Sequence, residues 1–237
     1  MGRTHHEVSL SDDVYSQLKD YILGDIERPA ERLQIGQLSQ HFGVSITPIR
    51  EALIRLASEA LIDLKPGKGF FYREYNPLEQ ISFYELGFSV LKYSIEKGNA
   101  RPSIRFLYDL SAVLPSEGDA LYAEAAVRAN VMAVEKLYEQ IANGSGNAQI
   151  VSLVRTLCER TRISRLLDLE QPANAAFILG GLKQVVAGLK QGDSEGAIAK
   201  LRAQLEAKRG RMRALANERL RRVYEAHPLL RPGFVRR

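Results

Sequence analysis

Leu38-Ser-Gln-His-Phe-Gly-Val-Ser-Ile-Thr-Pro-Ile-Arg-Glu-Ala-Leu53 sets a short helix, a glycine turn and a second helix in succession. The first helix covers about Ile35 to Phe42, with Leu38 and Phe42 facing inward. Gly43 supplies the tight turn, since glycine reaches backbone conformations closed to other residues. The second helix takes Ser45 or Thr47 as its cap. Pro48 is tolerated in its first turn, where the N–H groups have no intrahelical partner. Ile49, Ala52, Leu53, Leu56 and Ala60 make its apolar stripe. Two helices so joined can present the second to a major groove, about 12 Å wide in B-DNA, by its N-terminal end.

Upstream, a further helix starts at Ser9 or Ser11, with Asp12 and Asp13 in its first turn and Val14, Leu18, Tyr21 and Ile22 at helical spacing. Downstream, Leu61 to Leu64 alternates as a short strand. The run from Lys65 to Gly69 is a turn, and Phe70 to Arg73 is a second strand. Three helices and a hairpin make a winged helix-turn-helix, placed at residues 8–76. After Asn76-Pro77 the composition shifts to long helices with few breakers, at roughly 78–98, 102–114, 118–143, 147–169, 174–191 and 194–225. The expected architecture is mainly α: the winged domain, an all-α helical bundle at 78–226, and a basic tail at 227–237.

Ser45 and Thr47 are small and polar, suited to a phosphate or a base edge, and the helix N-terminus itself favours a phosphate. Arg50, one turn further on, can give a bidentate pair to guanine or clamp a phosphate. Arg55 is in reach of the sugar-phosphate backbone, and Lys65, Gly67 and Lys68 at the hairpin tip suit the adjacent minor groove.

The string Val44-Ser-Ile-Thr-Pro-Ile-Arg-Glu-Ala-Leu53, followed by Leu56-Ala-Ser-Glu-Ala-Leu-Ile62, resembles the GntR family of winged-helix regulators. The resemblance covers about residues 10–75 and implies DNA contacts at Ser45, Thr47, Arg50 and the wing tip Gly67. Family members usually show Val-Ser-Arg-Thr-Pro-Val-Arg-Glu-Ala-Leu, so Ile46 stands where an arginine is common. Either the operator differs from the common family site, or Ile46 meets a thymine methyl; Pro48, beside it, is counted among the DNA-binding positions.

The later helices, with Phe83-Tyr-Glu-Leu86, Gly144-Ser-Gly-Asn147 and Lys190-Gln-Gly-Asp193, resemble the FCD class of effector domains, all-α bundles that bind small metabolites. Many of that class hold a divalent metal with one Asp and three His. The matching positions here are Val134, Tyr138, Leu182 and Gln204, and no histidine occurs between His41 and His227. No metal or other cofactor is therefore expected. Gly87 stands where an arginine often does, which removes a carboxylate clamp. A larger or more apolar effector follows, with Tyr84, Phe88, Tyr138 and Phe177 as candidate lining, or as plain bundle core.

The net charge of +5 mildly favours a polyanionic partner. Yet residues 1–77 hold 9 Lys/Arg against 11 Asp/Glu, a balance of −2, whereas Arg202 to Arg237 holds 11 against 3, or +8. Bulk charge thus points away from the helix-turn-helix. The basic runs Lys208–Arg213 and Arg219–Arg222 are a solvated helix face, or else a DNA or partner contact. The single cysteine, Cys158, excludes an internal disulfide and suits a reducing compartment; it reads as a small buried hydrophobe ahead of a redox sensor. No apolar run approaches a membrane span, no signal peptide is expected, and no nucleophile elbow, Walker loop or Cys/His ligand cluster occurs. The expectation is a cytoplasmic, non-enzymatic transcription regulator: a homodimer on a palindromic double-stranded operator, controlled by a small-molecule effector. The rivals are a DNA-binding dimer whose bundle serves only to dimerise, and an enzyme tethered to DNA.

Overall fold

A computed structural model of the chain describes residues 10–24, 28, 31–98 and 124–228. The helix read at 102–114, the start of the one read at 118–143 and most of the tail at 227–237 lie outside the described residues. Two compact units divide the chain between Tyr75 and Asn76. The first also takes the chain from Arg222 onward, and the second runs Asn76–Arg221.

The first unit is built on α1 (Leu10–Leu23), α2 (Ile35–Phe42), α3 (Ile46–Ser58), β1 (Ile62–Lys65) and β2 (Gly69–Tyr72). Val14, Leu18 and Ile22 of α1 meet Ile49, Leu53 and Leu56 of α3 in one apolar core, closed by Leu38 of α2 and by Ile62, Phe70 and Tyr72 of the hairpin. Leu18, Ile49, Leu53 and Leu56 are fully buried. Burying each such side chain is worth about 1.5–3 kcal/mol. Tyr21 and Phe42, expected inside, pack only at the edge of this core.

Gly43 ends α2 at φ +65°, and Val44 N–H donates to the Ser39 carbonyl at 3.2 Å, so the chain reverses within two residues. Ser45 has the extended backbone of an N-cap. α3 ends at Ser58, earlier than its apolar stripe suggested: Ala60 leaves the helix at φ +55°. Its carbonyl accepts from Arg73 Nη1 at 2.8 Å, which holds that left-handed turn. β1 and β2 pair antiparallel with Ile62 opposite Tyr72 and Lys65 opposite Gly69. Lys68 N–H closes the tip on the Lys65 carbonyl at 3.0 Å, with Gly67 at φ +69°. Residues 31–33 add a bridge on the far side of β2, through Leu33 N–H to Phe70 O (2.8 Å) and Tyr72 N–H to Glu31 O (2.9 Å).

The second unit contains α4 (Pro77–Gly98), α5 (Glu124–Asn143), α6 (Ala148–Arg160), α7 (Arg162–Leu169) and α8 (Pro172–Gln191), and most of α9 (Ser194–Ala226). Asn147 caps α6 by accepting from Gln149 N–H at 2.9 Å, and Asp193 accepts from Gly196 N–H at 2.8 Å at the start of α9. The helix expected over 147–169 is two helices. At Thr161 the hydroxyl donates to the Leu157 carbonyl at 2.7 Å, while Arg165 Nη1 reaches the Cys158 carbonyl at 3.2 Å. Side-chain donors thus serve carbonyls near the break, and α7 sets off with Ser164, Arg165 and Asp168 turned inward.

Gly43→Ala should lower the stability of the first unit by roughly 1–2 kcal/mol, because an alanine is strained at this left-handed position. Urea unfolding followed by circular dichroism measures it; an unchanged midpoint would show that the turn relaxes freely.

Candidate nucleic-acid interface and helical-unit cavity

Burial of Ile49, Leu53 and Leu56 turns the opposite face of α3 outward. On that face Ser45, Ile46, Thr47 and Arg50 are exposed, with Pro48 half-buried between them. Ser45 makes no side-chain cap bond, so the first N–H groups of α3 keep their donors for an outside acceptor. Arg50 forms no hydrogen bond or ion pair with any described residue. Ile46 is 51% exposed, an apolar side chain on an otherwise polar end.

Arg55 differs from Arg50. It bonds Asp12 at 3.1 Å, lies 3.6 Å from Glu59, and stacks 3.7 Å from the centre of the Tyr15 ring. Tyr15 in turn donates to Glu59 at 2.6 Å, and Lys19 reaches both groups. Burial, then the Glu59 carboxylate, pushes the Tyr15 phenol above its ordinary pKa, so it stays a donor. This cluster locks the end of α3 to α1. At the wing, Lys65 and Lys68 are exposed, and the Lys65 ammonium sits 4.4 Å from the centre of the Phe71 ring. Sequence reasoning missed Arg32, an exposed cation whose Nε lies 3.3 Å from where a Cβ on Gly69 would stand. Glu31 and Arg32 are both exposed and only Leu33 is buried, so no alternation marks that short bridging strand in the sequence.

In the helical unit, a cavity of about 80 Å³ opens among α4, α5, α6, α7, α8 and α9. Tyr84, Phe88 and Tyr138 line it, as do Gly87, Val134 and Gln204. Phe177 does not: its ring is 46% exposed on α8, with Arg211 5.7 Å from its centre. Of the four positions that the FCD resemblance gives to a metal, Val134, Tyr138 and Gln204 share this cavity, and Leu182 is buried in α8. One phenol and one amide do not fit a divalent ion. Among the described residues no group of three His, Cys, Asp or Glu is placed to hold one.

One end of the cavity is charged. Arg165 donates to Glu135 at 2.7 Å and to the Thr161 hydroxyl at 2.9 Å; Arg162 grips the same carboxylate at 2.7 Å. Lys208 bonds Asp168 at 2.6 Å and the Ser164 carbonyl at 3.1 Å, and Arg211 holds Asp168 at 2.9 and 3.1 Å. Lys208 and Arg211 therefore do not belong to a solvated basic face as the sequence suggested, and Arg219 is buried as well. Burial pulls the Lys208 ammonium down to about 8. Burial alone would raise Asp168, but Lys208 and Arg211 together hold it below the usual carboxylate range. Cys158 lines the same cavity, and burial pushes its thiol up to about 12, which leaves little thiolate for redox chemistry.

A helix-turn-helix with an exposed, uncapped reading helix and a two-stranded wing defines a winged-helix DNA-binding domain. Residues 10–71 match the family described as bacterial regulatory proteins, gntR family. Similar curated proteins include the Nta operon transcriptional regulator of Aminobacter aminovorans, 27% identical over 141 residues, 60% of this chain and 66% of that one. Another is the HTH-type transcriptional regulator McbR of Escherichia coli, 33% identical over 99 residues, 40% of this chain and 44% of that one. A GntR regulator structure from Rhodococcus sp. RHA1 superposes with a TM-score of 0.70 at 19% identity, covering 86% of this chain and 97% of that chain. The E. coli McbR/YncC structure does so at 0.61 and 23%, covering 93% and 99%. These two likenesses carry the fold across both units. Residues 10–71 are a GntR-family DNA-binding domain, and the curated relatives that the chain resembles are transcriptional regulators. Among the described residues no helix is long and apolar enough to cross a membrane.

The lowered pKa of Asp168 has a definite sign. Its contribution to stability is fully present above the unfolded value, about 3.9, and is lost as pH falls through the lower folded value. Asp168→Asn should cost about 3–5 kcal/mol at pH 7, because Lys208 and Arg211 lose their shared counter-charge. Urea unfolding at pH 7 and pH 3 should show the gap between variant and parent shrinking in acid. A gap independent of pH would contradict the assignment.

Proposed function

We propose that the chain is a cytoplasmic, homodimeric regulator that reads a palindromic operator with one α3 per half-site and is controlled by a small molecule held in the cavity of an FCD-type helical domain. The winged domain corresponds to residues 8–76, and the helical domain to 78–226. Ser45, Thr47 and the first N–H groups of α3 take phosphates. Arg50 reads a base or clamps a phosphate, and Ile46 and Pro48 lie against apolar base edges. Lys65, Gly67 and Lys68 follow the minor groove, joined by Arg32. Arg55, already bound by Asp12, chiefly positions α3 and adds at most a backbone contact. The carrying observation is Arg50, an exposed guanidinium with no partner among the described residues, one turn beyond an uncapped helix start. The protein is assigned no catalytic role.

Effector control rests on the cavity, whose wall unites three of the four aromatic candidates with a buried ion cluster. Occupation would favour one placement of the paired reading helices, with a coupling of order 1–3 kcal/mol. The alternative, a helical domain that only dimerises, gains from the absence of residues fitted to a metal among those described.

Arg50→Ala should weaken binding to an operator, selected from random duplexes, by roughly 1–3 kcal/mol, and Lys68→Ala should flatten the salt dependence by about one counterion. Fluorescence anisotropy across a salt series measures both. An Arg50→Ala protein with full operator affinity would remove its assigned role. Native mass spectrometry of the purified chain should show a dimer with a co-purified small molecule; a strict monomer would defeat the palindromic model.

A further inference from the structure

Resting on the reading of α3 as the element that meets the operator, we infer that Ile46 reads the C5-methyl group of a pyrimidine in the major groove. 5-Methylcytosine then stands in for thymine at that position, and cytosine methylation there strengthens binding.

Exposed hydrocarbon is confined to a few places in the first unit. Among its described residues, the large apolar side chains that stand exposed are Ile46 and Ile54 on α3 and Leu64 on β1. All three lie on the reading helix or the wing. By contrast, Ile22, Leu23, Ile35, Leu38 and Phe42 of α1 and α2 are buried or packed at the edge of the core. Ile46 is the first residue of α3, at the end that enters a groove, and it stands between the exposed Ser45 and Thr47. Pro48, half-buried beside it, has no N–H to offer. Ile54 lies eight residues on, about 12 Å along the helix axis.

An isoleucine so placed discriminates among bases in one way. Its side chain holds no donor or acceptor, so a base edge that presents only polar groups to it loses water and gains no partner. The C5-methyl is the apolar group that a base edge offers in the major groove, and of the four unmodified bases thymine carries it. Cytosine methylated at C5 carries the same methyl on the same carbon. Ile46 therefore treats these two pyrimidines alike, and separates both from cytosine and uracil by the burial of one methyl. Arg50, exposed and without a partner among the described residues, lies one turn further along the same face and supplies the polar contact that Ile46 lacks. Methylation of the operator is thereby a signal carried by the DNA itself, separate from any effector in the helical unit.

The test uses the full chain and an operator selected from random duplexes, with fluorescence anisotropy as the readout. Each thymine is replaced in turn by deoxyuridine, which removes the methyl and nothing else. At one position of the half-site this should weaken binding about fourfold, the worth of one buried methyl. With a cytosine–guanine pair placed at that position instead, methylating the cytosine at C5 should strengthen binding by a similar factor. Ile46→Ala suits a helix and trims hydrocarbon at an exposed position, so the variant should fold and bring both ratios to one. Ile54→Ala removes an equally exposed isoleucine and should keep both ratios. Ratios that survive Ile46→Ala, or that fall with Ile54→Ala, place the methyl contact elsewhere and overturn the assignment. If uracil is tolerated at every position, or cytosine methylation does not strengthen binding, the inference falls. Arg50→Ala on the same operator then separates the two claims: weakened binding keeps α3 as the reading element, and full affinity removes that reading as well.

Discussion

The winged domain depends on the burial of one stripe of α3. Ile49, Leu53 and Leu56 are sealed against Val14, Leu18 and Ile22 of α1, and that contact fixes the rotation of α3 about its own axis. A helix places a side chain every 100°, so settling three positions settles the rest. Ile46, Arg50 and Ile54 then have no choice but to face outward. The polar cluster of Asp12, Tyr15, Lys19, Arg55 and Glu59 adds a directional clamp at the far end of the helix. Apolar burial thus supplies most of the energy, and the hydrogen bonds select one rotation and one register.

That dependence explains why the sequence was so informative here. The period of the apolar residues fixed α2 at Ile35–Phe42, and Gly43 marked the turn because a left-handed backbone strongly favours glycine. The hairpin differed from its reading by one residue at each strand, the ordinary uncertainty of an element's edge. Ala60 was misplaced in the helix because its apolar character suits the stripe, while its φ of +55° is imposed by Arg73 and the entry into β1. The bridge at residues 31–33 is set by a partner strand forty residues away, and local pattern does not carry such pairings.

The helical unit was legible in outline and less so in its interior. Glycine and Asn/Asp caps marked the ends of α6, α8 and α9. The break at Thr161 has no such mark, because threonine is acceptable within a helix and its effect arises from what its hydroxyl and Arg165 do to nearby carbonyls. The candidate ligand residues divide in the same way. Tyr84, Phe88 and Tyr138 converge on one cavity, while Phe177, at a similar helical spacing, lies on the outer side of α8. Aromatic spacing identifies a face only when the neighbours of that face are known. Arg165 and Asp168 were not foreseen as cavity groups at all, since charged residues are normally placed outside.

Charge shows most sharply how a count differs from a site. The N-terminal stretch is net acidic, yet Asp12, Glu51 and Glu59 are taken up by Arg55, Ser11, Tyr15 and Lys19. Among the described residues, the cations left without such partners are Arg32 and Arg50, with Lys65 and Lys68 exposed at the wing. The opposite holds for the basic stretch near the C-terminus. There Lys208 and Arg211 are drawn to Asp168, Arg209 to Glu85 and Glu206, and Arg221 to Glu218. Lys208 and Arg211 are therefore committed inside the protein, whereas Arg209 and Arg221 pair at its surface. What a polyanion meets is the residue of this internal pairing, not the sum over the chain. By that measure the acidic end of the sequence presents unpaired cations at its surface, while two cations of the basic end are drawn to the buried Asp168.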